Sequence, residues 1–160
     1  MANSQITFRP LETRDQAFMS DFLYECIFVP EGQAKPPRDI LNTPNLQVYI
    51  QGFGEYAADC GVIAESEGSI VGMAWARVMN DYGHIDDDTP SIAISVQRTF
   101  RGRGIGSTLL ELLKQEVRAH GFSALSLSVQ AKNSALRLYR RHGFQTVQEK
   151  GEELIMRCAL

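Results

Sequence analysis

The most informative segment of this sequence is a glycine-rich loop, Arg101-Gly102-Arg103-Gly104-Ile105-Gly106-Ser107. It lies between an extended apolar run, Ser91–Val96, and a segment with the apolar spacing of a helix, Gly104–His120. The first amides of a helix have no intrahelical partner and carry the positive end of the helix dipole. Glycine lets a phosphate approach those amides closely, and the arginines add positive charge. The loop therefore predicts a pyrophosphate cradle; the alternative is a tight turn from strand to helix.

Two common nucleotide-binding loops do not fit this spacing. A Walker loop requires a lysine directly after its last glycine, whereas Ser107 follows Gly106 here. The dinucleotide-binding fingerprint requires Gly-x-Gly-x-x-Gly after the first strand and an acid about 20 residues later. In this chain the glycines alternate at 102, 104 and 106, and the next apolar run ends at Gln130 without a carboxylate. Neither nucleotide loop is favoured.

A second motif supports a different interpretation. The loop fits the pattern Arg/Gln-x-x-Gly-x-Gly/Ala as Arg101-x-x-Gly104-x-Gly106, which resembles the acetyl-CoA loop of the GNAT N-acetyltransferase superfamily. The segment Ser126–Phe144 is similar to that superfamily's closing signature, with a strand, Asn133, a short helix containing Ala135, Leu138 and Tyr139, and then Gly143-Phe144. Two motifs in the right order are much less expected by chance than one. The resemblance is good from Asp59 to Phe144 and general elsewhere.

The composition is that of an ordinary globular protein. The 160 residues are 44% hydrophobic, which is sufficient for one domain, residues 1–160, with a buried core. Cys26, Cys60 and Cys158 are scattered and lack metal-type spacing, which predicts a reduced, cytoplasmic compartment. The first ten residues do not resemble a targeting signal, and no apolar run reaches membrane-spanning length. We therefore expect no association with a membrane.

Charge is distributed unevenly along the chain. Residues 1–90 contain 5 basic and 14 acidic residues, whereas residues 91–160 contain 11 basic and 5 acidic residues. A positive field around the second half favours a polyanion such as coenzyme A, although the arginines also fit simple solvation of helix faces. Because the net charge is −3 and no nucleic-acid motif is present, we expect no nucleic-acid partner.

The apolar spacing predicts a mixed sequence of strands and helices. The predicted strands are Ile6–Phe8, Gly61–Glu65, Ile70–Met79, Ser91–Val96, Ser123–Val129, Phe144–Glu149 and Glu153–Cys158. Helices are predicted after a capping box at Thr13-x-x-Gln16, with an apolar stripe of Phe18, Phe22, Leu23, Cys26 and Ile27, after Thr43-Pro44, over Gly104–His120 and over Asn133–Arg141. This order resembles the GNAT fold, an α/β (α+β) arrangement with a mixed, mostly antiparallel sheet flanked by helices. In that fold two central strands splay apart and admit coenzyme A.

The resemblance implies that acetyl-CoA is the cosubstrate. It assigns the pyrophosphate to the loop residues Arg101, Gly102, Arg103, Gly104, Ile105, Gly106 and Ser107. It assigns the pantetheine arm to backbone groups of the strand around Ile94 and Val96, with Asn133 close by. Asn133 also fits a plain N-cap of the last helix, and the two roles are compatible.

Tyr139 matches the tyrosine that many members of the superfamily place beside the cofactor sulfur. Acyl transfer expels a thiolate, so a hydrogen-bond donor beside the sulfur lowers the barrier. A phenol with a pKa of about 10 is a weaker acid than a thiol with a pKa of about 8.5, which favours hydrogen-bond donation over complete proton transfer. The alternative for Tyr139 is an aromatic core residue packed against Leu136.

The attacking amine must be neutral, and no residue is an obvious base. Relatives often place a carboxylate on the central strand, whereas Ser91–Val96 contains only serine and aliphatic side chains. The remaining candidates are Glu31, Glu65, Tyr82, His84 and Asp86–Asp88, and a route through backbone and water is equally compatible. Asp86–Asp88 form an acidic loop, and solvent exposure alone explains such a loop, so we expect no metal site.

The acceptor side is predicted from the same resemblance. In the superfamily the loop between the first two helices, here Val29–Pro37, commonly borders the acceptor site. We therefore expect Glu31, Tyr82 and His84 to bind the acceptor. The acidic first half of the chain favours a cationic amine.

We interpret the chain as an N-acetyltransferase that moves acetyl from acetyl-CoA to a small-molecule or peptide primary amine by direct attack in a ternary complex. One alternative is a GNAT-fold protein that binds acyl-CoA as a sensor or assembly partner without turnover. Another is a regulatory domain that binds ATP or NAD in preference to coenzyme A. Members of the superfamily often dimerise, so a second copy of this chain is also a candidate partner.

Overall fold

A seven-stranded sheet forms the centre of the computed structural model, which describes residues 5–160. The strands are β1 (Ile6–Pro10), β2 (Cys60–Ser66), β3 (Ser69–Arg77), β4 (Ser91–Val96), β5 (Ala124–Gln130), β6 (Gln145–Lys150) and β7 (Glu153–Ala159). Their order across the sheet is β1-β2-β3-β4-β5-β7-β6. Only β4 and β5 are parallel neighbours in the described sheet. The prediction of a mixed, mostly antiparallel sheet is confirmed.

Helices cover both faces of the sheet. They are α1 (Met19–Glu25), α2 (Pro44–Gln47), α3 (Ile105–Ala119) and α4 (Ala135–Arg141), with 3-10 helices at Thr13–Phe18, Arg38–Asn42 and Arg98–Phe100. Helix α3 buries a leucine-rich stripe on one face of the sheet, whereas α1 and the segment around α2 pack on the other face. Within residues 5–160, no helix is both long and apolar enough to cross a membrane.

A buried arginine holds the α2 segment in place. A single helical turn is not stable alone, so α2 depends on contacts of this kind. Arg77, at the end of β3, pairs with Asp59 at 3.1 Å, and both side chains are almost completely buried. The same guanidinium donates hydrogen bonds to the carbonyls of Val48 and Gln51. Trp75 adds a hydrogen bond from its indole N–H to the Tyr49 carbonyl at 3.0 Å. These contacts fix the α2 segment against the same sheet face as α1.

The start of the first helical segment differs from the prediction. The capping box is formed by Glu12 and Asp15 rather than by Thr13 and Gln16, and a 3-10 helix precedes α1. The reason is that the Asp15 carboxylate accepts hydrogen bonds from the Glu12 amide and from Arg9, each at 2.7 Å. The tightened turn rotates Phe18 outward, where it is 48% exposed. The prediction that Phe18 belongs to the buried stripe is therefore wrong.

We expect Asp15→Asn to lower the free energy of unfolding by about 2 kcal/mol at neutral pH, because a buried ion pair and a capping contact are lost. Hydrogen bonds from Arg9 hold the pKa of Asp15 below its ordinary value. This stabilisation is thus present above the unfolded-state pKa of about 3.9 and disappears as the pH falls through the lowered folded-state pKa. Urea unfolding of both proteins at several pH values measures the difference. A difference that persisted at the lowest pH would contradict this assignment.

Candidate active site

The sheet opens where β4 and β5 meet. In the described chain these strands pair at one position, Ser91 opposite Ser126, and separate beyond it. The gap leads into a cleft of about 1080 Å³. Its walls are the end of α1 with the segment that follows it, the second half of β4, the glycine-rich loop with the first turn of α3, and α4. The predicted splay of two central strands is therefore present.

Backbone groups of β4 point into this gap. The Gln97 amide donates to the Val71 carbonyl on β3 at 2.8 Å. Since successive residues of a strand direct their backbone groups to opposite sides, Ile94 and Val96 direct theirs away from β3 and towards β5. There the Ile94 carbonyl accepts a hydrogen bond from the Cys26 thiol at 3.4 Å. The edge of β4 that faces the gap thus offers hydrogen-bonding groups to a ligand.

The glycine-rich loop places the start of α3 at the open end of the cleft. Gly102 and Gly104 have φ angles of +77° and +79°, and a Cβ atom at either position meets no atom within 4 Å. These glycines are therefore required by the backbone conformation, which other residues rarely adopt, rather than by lack of space. The first residues of α3, Ile105, Gly106 and Ser107, line the cleft. Their amides are free of intrahelical partners and suit an anion.

The arginines of the loop differ in position. Arg101 lines the cleft, donates from Nε to the Val96 carbonyl at 2.9 Å and lies 3.4 Å from a Glu25 oxygen. Arg103 does not line the cleft; its guanidinium lies over the Phe100 ring, 5.1 Å from the centroid. Every other predicted cofactor-binding residue lines the cleft, namely Ile94, Val96, Arg101, Gly102, Gly104, Ile105, Gly106, Ser107 and Asn133.

Asn133 has a structural role at this edge of the cleft. Its side-chain oxygen accepts a hydrogen bond from the Ala135 amide at 2.9 Å, at the start of α4. The N-cap residue of α4 is Ser134 rather than Asn133, so Asn133 fixes the turn that leads into the helix. Asn133 also lines the cleft, so the predicted contact with a cofactor remains sterically compatible.

Tyr139 lies on α4 and reaches the cleft from the side opposite α1. Its ring packs edge to face against Phe144, with 5.9 Å between the centroids. Within residues 5–160 the hydroxyl makes no side-chain hydrogen bond. Burial, and to a smaller extent the nearby Cys26, raises the pKa of Tyr139. The phenol therefore remains protonated at neutral pH and is available as a hydrogen-bond donor.

Residues 23–144 match the Acetyltransferase (GNAT) family. The chain belongs to the GNAT acetyltransferase family. This confirms the resemblance noted in the two sequence motifs, and acetyl-CoA, the expected cosubstrate, agrees with the family.

Two curated relatives illustrate the range of the family. The chain is 32% identical over 93 residues to mouse N-acetyltransferase family 8 member 3, and the match covers 58% of this chain and 41% of that protein. The chain therefore spans less than half the length of this relative. It is 29% identical over 127 residues to an uncharacterized N-acetyltransferase of Methanocaldococcus jannaschii, which covers 74% of this chain and 78% of that protein.

Solved structures share the fold at low sequence identity. The paiA N-acetyltransferase from Thermoplasma acidophilum, solved in complex with coenzyme A, has a TM-score of 0.70 and 16% identity, and the match covers 98% of this chain and 99% of that one. A GNAT-family acetyltransferase from Streptococcus pneumoniae has a TM-score of 0.69 and 19% identity, covering 98% and 99%. These likenesses establish the GNAT fold.

The predicted acceptor residues are not brought together at the GNAT cleft. Glu31 lines it, whereas Tyr82 and His84 lie on the loop between β3 and β4, outside the lining. Glu65 forms an ion pair with Arg9 between β1 and β2. Asp86, Asp87 and Asp88 are exposed on the same loop as Tyr82 and His84.

The sequence gives no functional signal for two residues beside the gap, one in the cleft lining and one at the closed end. Cys26 lines the cleft, and burial raises the pKa of its thiol to about 11. The apolar stripe of the first helix placed Cys26 inside the protein but gave no signal for its position beside Ile94. Asp81 lies at the closed end of the gap, and burial raises the pKa of its carboxyl group. An isolated aspartate in a loop has no sequence signature, so only the fold identifies it.

Proposed function

We propose that this protein is an N-acetyltransferase that transfers the acetyl group of acetyl-CoA to a primary amine by direct attack in a ternary complex. The observation that supports this most strongly is the alignment of three features along one cleft. These are the free amides at the start of α3, the outward-facing backbone of β4, and the Tyr139 hydroxyl on the facing helix. They correspond in order to pyrophosphate, pantetheine and thioester.

The proposed binding mode uses few side chains. The pyrophosphate contacts the amides of Ile105 and Gly106, with Arg101 adding charge. The pantetheine arm pairs with the backbone of Ile94 and Val96, in place of the strand partner that β4 lacks beyond Ser91. The thioester then lies deeper in the gap, beside the α4 tyrosine. Proximity in this complex provides much of the rate enhancement.

Tyr139 acts on the leaving group. The amine attacks the thioester carbon, a tetrahedral intermediate forms, and its collapse breaks the carbon–sulfur bond. The phenolic O–H donates a hydrogen bond to the sulfur as negative charge develops there. Because burial raises the pKa of Tyr139 further above that of a thiol, complete transfer of the phenolic proton is unfavourable. The thiolate takes its proton from solvent after release.

A covalent acetyl-enzyme through Cys26 is disfavoured because a thiol with a pKa of about 11 is almost entirely protonated at neutral pH. We expect that incubation with acetyl-CoA alone leaves the mass of the intact protein unchanged. Initial rates with both substrates varied are expected to give intersecting lines in a double-reciprocal plot. An acetylated protein together with parallel lines would contradict direct transfer.

The acceptor is proposed to be cationic, because acidic residues predominate in residues 1–90 and two of them, Glu25 and Glu31, line the cleft. The test is amine-dependent release of thiol from acetyl-CoA with three primary amines of similar size. One has a second cationic group, one is neutral away from the amine, and one has a carboxylate. We expect rates to fall in that order; equal rates for the cationic and anionic amines would contradict a preference for positive charge.

The alternative function is binding of acyl-CoA without turnover, and it is favoured by the lack of a carboxylate on β4. The same assay separates the two functions. Tight binding of coenzyme A with no thiol release for any amine supports the sensor, whereas amine-dependent release supports the enzyme.

A further inference from the structure

The closed end of the gap between β4 and β5 contains a carboxylate. Asp81 follows β3 in the chain, and the Ser91 hydroxyl donates a hydrogen bond to its Oδ1 atom at 2.8 Å. The Ser91 hydroxyl also lies 3.3 Å from that of Ser126. Ser91 and Ser126 form the position at which β4 and β5 pair before they separate. Asp81 is therefore fixed at the apex of the gap.

Asp81 lies on the acceptor side of the sheet rather than on the α3 side. Alternate side chains of β4 face α1, as the hydrogen bond from Ser95 to the Phe22 carbonyl at 2.7 Å demonstrates. Ser91 has the same parity as Ser95, so Ser91 and its partner Asp81 lie on that face. In the proposed binding mode the thioester enters the gap from the open end, so Asp81 lies beyond it, at the closed end.

Tyr49 is a titratable neighbour of Asp81 at this apex. Burial raises the pKa of Tyr49, and the Asp81 carboxylate raises it further. Neither residue is part of the cleft lining, so an amine held by Asp81 lies at the apex, next to the cleft rather than inside it.

Unlike two other buried carboxylates, Asp81 has no cationic partner among the described residues. Asp15 pairs with Arg9, and Asp59 pairs with Arg77. Within residues 5–160, Asp81 forms no ion pair with lysine, arginine or histidine. Burial raises its pKa, and hydrogen bonds from Ser91, Tyr49 and the backbone amides of Gly83 and Asp81 oppose this only in part. A partly buried anion without a counter-ion is unfavourable, and an ammonium group from a ligand removes that cost.

We propose that Asp81 binds the ammonium group of the acceptor and removes its proton before attack, an inference that rests on the proposed acetyl transfer to an amine. One N–H bond of the ammonium breaks, and its proton passes to the Asp81 carboxylate. The neutral amine then attacks the thioester, and its second N–H proton passes to water as the amide forms and the thiolate departs. Asp81 returns its proton to solvent after product release. No oxidant, metal or further reactant is needed.

The test compares Asp81→Asn with Asp39→Asn, which removes the same charge from an exposed position in a 3-10 helix away from the cleft. Asparagine at position 81 still accepts the hydrogen bond from Ser91. We expect Asp81→Asn to lower kcat/KM for the best acceptor amine by about 10²-fold, the usual range for loss of a general base. The dissociation constant of acetyl-CoA and the melting temperature are expected to stay at wild-type values. Asp39→Asn is expected to match wild type.

A second acceptor distinguishes a base from a structural residue. The best amine is compared with an analogue whose fluorines, next to the amino carbon, lower the amine pKa below neutrality. This analogue binds as the neutral amine at neutral pH, so it needs neither a counter-ion nor a base before it attacks. We expect the loss in Asp81→Asn to shrink to less than about threefold with it, because base catalysis matters only for the protonated amine. Equal losses with both amines would contradict the proposal.

Ser91→Ala supplies an independent readout. Removal of this hydrogen bond raises the pKa of Asp81 further, so the acid limb of the kcat/KM profile is expected to move to higher pH. The other titratable groups near Asp81 are Tyr49, whose pKa burial raises, and Tyr82 and His84 on the same loop; the His84 amide donates to the Asp81 carbonyl at 3.3 Å. An unmoved acid limb, or wild-type kcat/KM in Asp81→Asn, would overturn the role of Asp81. Failure of the wild-type protein to acetylate any amine would instead overturn the proposed function, and with it this role.

Discussion

Replacement of Tyr139 by phenylalanine is expected to lower kcat for amine-dependent thiol release by about 10²-fold, the usual contribution of a well-placed proton donor. The affinity for acetyl-CoA is expected to change by less than about twofold, because the ring that forms the cleft wall is retained. Stability is also expected to be nearly unchanged, since the Tyr139 hydroxyl makes no side-chain hydrogen bond within residues 5–160. A loss in kcat alone therefore places the hydroxyl at the leaving group.

The matched control is Tyr56→Phe, which removes a hydroxyl from an exposed tyrosine beside Arg77, outside the cleft lining. Its kcat is expected to equal that of wild type. The measurement is a steady-state thiol-release assay, combined with calorimetric titration of acetyl-CoA. If Tyr139→Phe retained full kcat, the tyrosine would be only a packing residue against Phe144, and the leaving-group role would be wrong.

Replacement of Gly106 by glutamate is expected to weaken acetyl-CoA binding by about 10²-fold while the fold is retained. A carboxylate about 5 Å from a phosphate charge costs about 3 kcal/mol at an effective dielectric constant of 20, and each 1.4 kcal/mol is a factor of ten. A Cβ atom at position 106 meets only Leu138, at an ordinary contact distance of 3.5 Å. An acid in the first turn of α3 also favours the helix dipole. The variant is therefore expected to bind acetyl-CoA more weakly while the folded protein becomes slightly more stable.

Gly106→Ala is the control for volume without charge. Helix propensity improves by about 1 kcal/mol when glycine becomes alanine, and the added methyl group fits the available space. We expect acetyl-CoA to bind this variant within about threefold of wild type and the melting temperature to rise. Calorimetric titration and thermal unfolding of both variants measure the two effects. Equal affinity in Gly106→Glu and wild type would exclude the start of α3 as the pyrophosphate site.

The sequence predicts the conformation of the glycine-rich loop and the packing of α3 well, because local rules determine both. The glycines at 102 and 104 need positive φ angles, and the apolar stripe of α3 must face the sheet. Both requirements are visible in the residues themselves. The position of the Arg103 side chain is less predictable, because a charged side chain in a loop has several partners within reach, and here it lies over the Phe100 ring.

The acceptor side could not be predicted in the same way. Asp81 is significant because of what surrounds it: a serine that follows it by ten residues, a tyrosine from the α2 segment, and the absence of a cation among the described residues. Contacts between distant segments have no local signature. For a similar reason the sequence does not predict where the first helical segment begins, since Arg9 on β1 pairs with Asp15 and the cap is formed by Glu12 and Asp15.

The most direct test of the account is a stoichiometry measurement on the wild-type protein. Acetyl-CoA and a cationic primary amine are mixed with the protein, and free thiol and N-acetylated amine are quantified in the same samples. The account predicts that both products accumulate in a ratio of one to one and only when protein and amine are present together. Tight binding of acetyl-CoA with no N-acetylated product from any amine would contradict it.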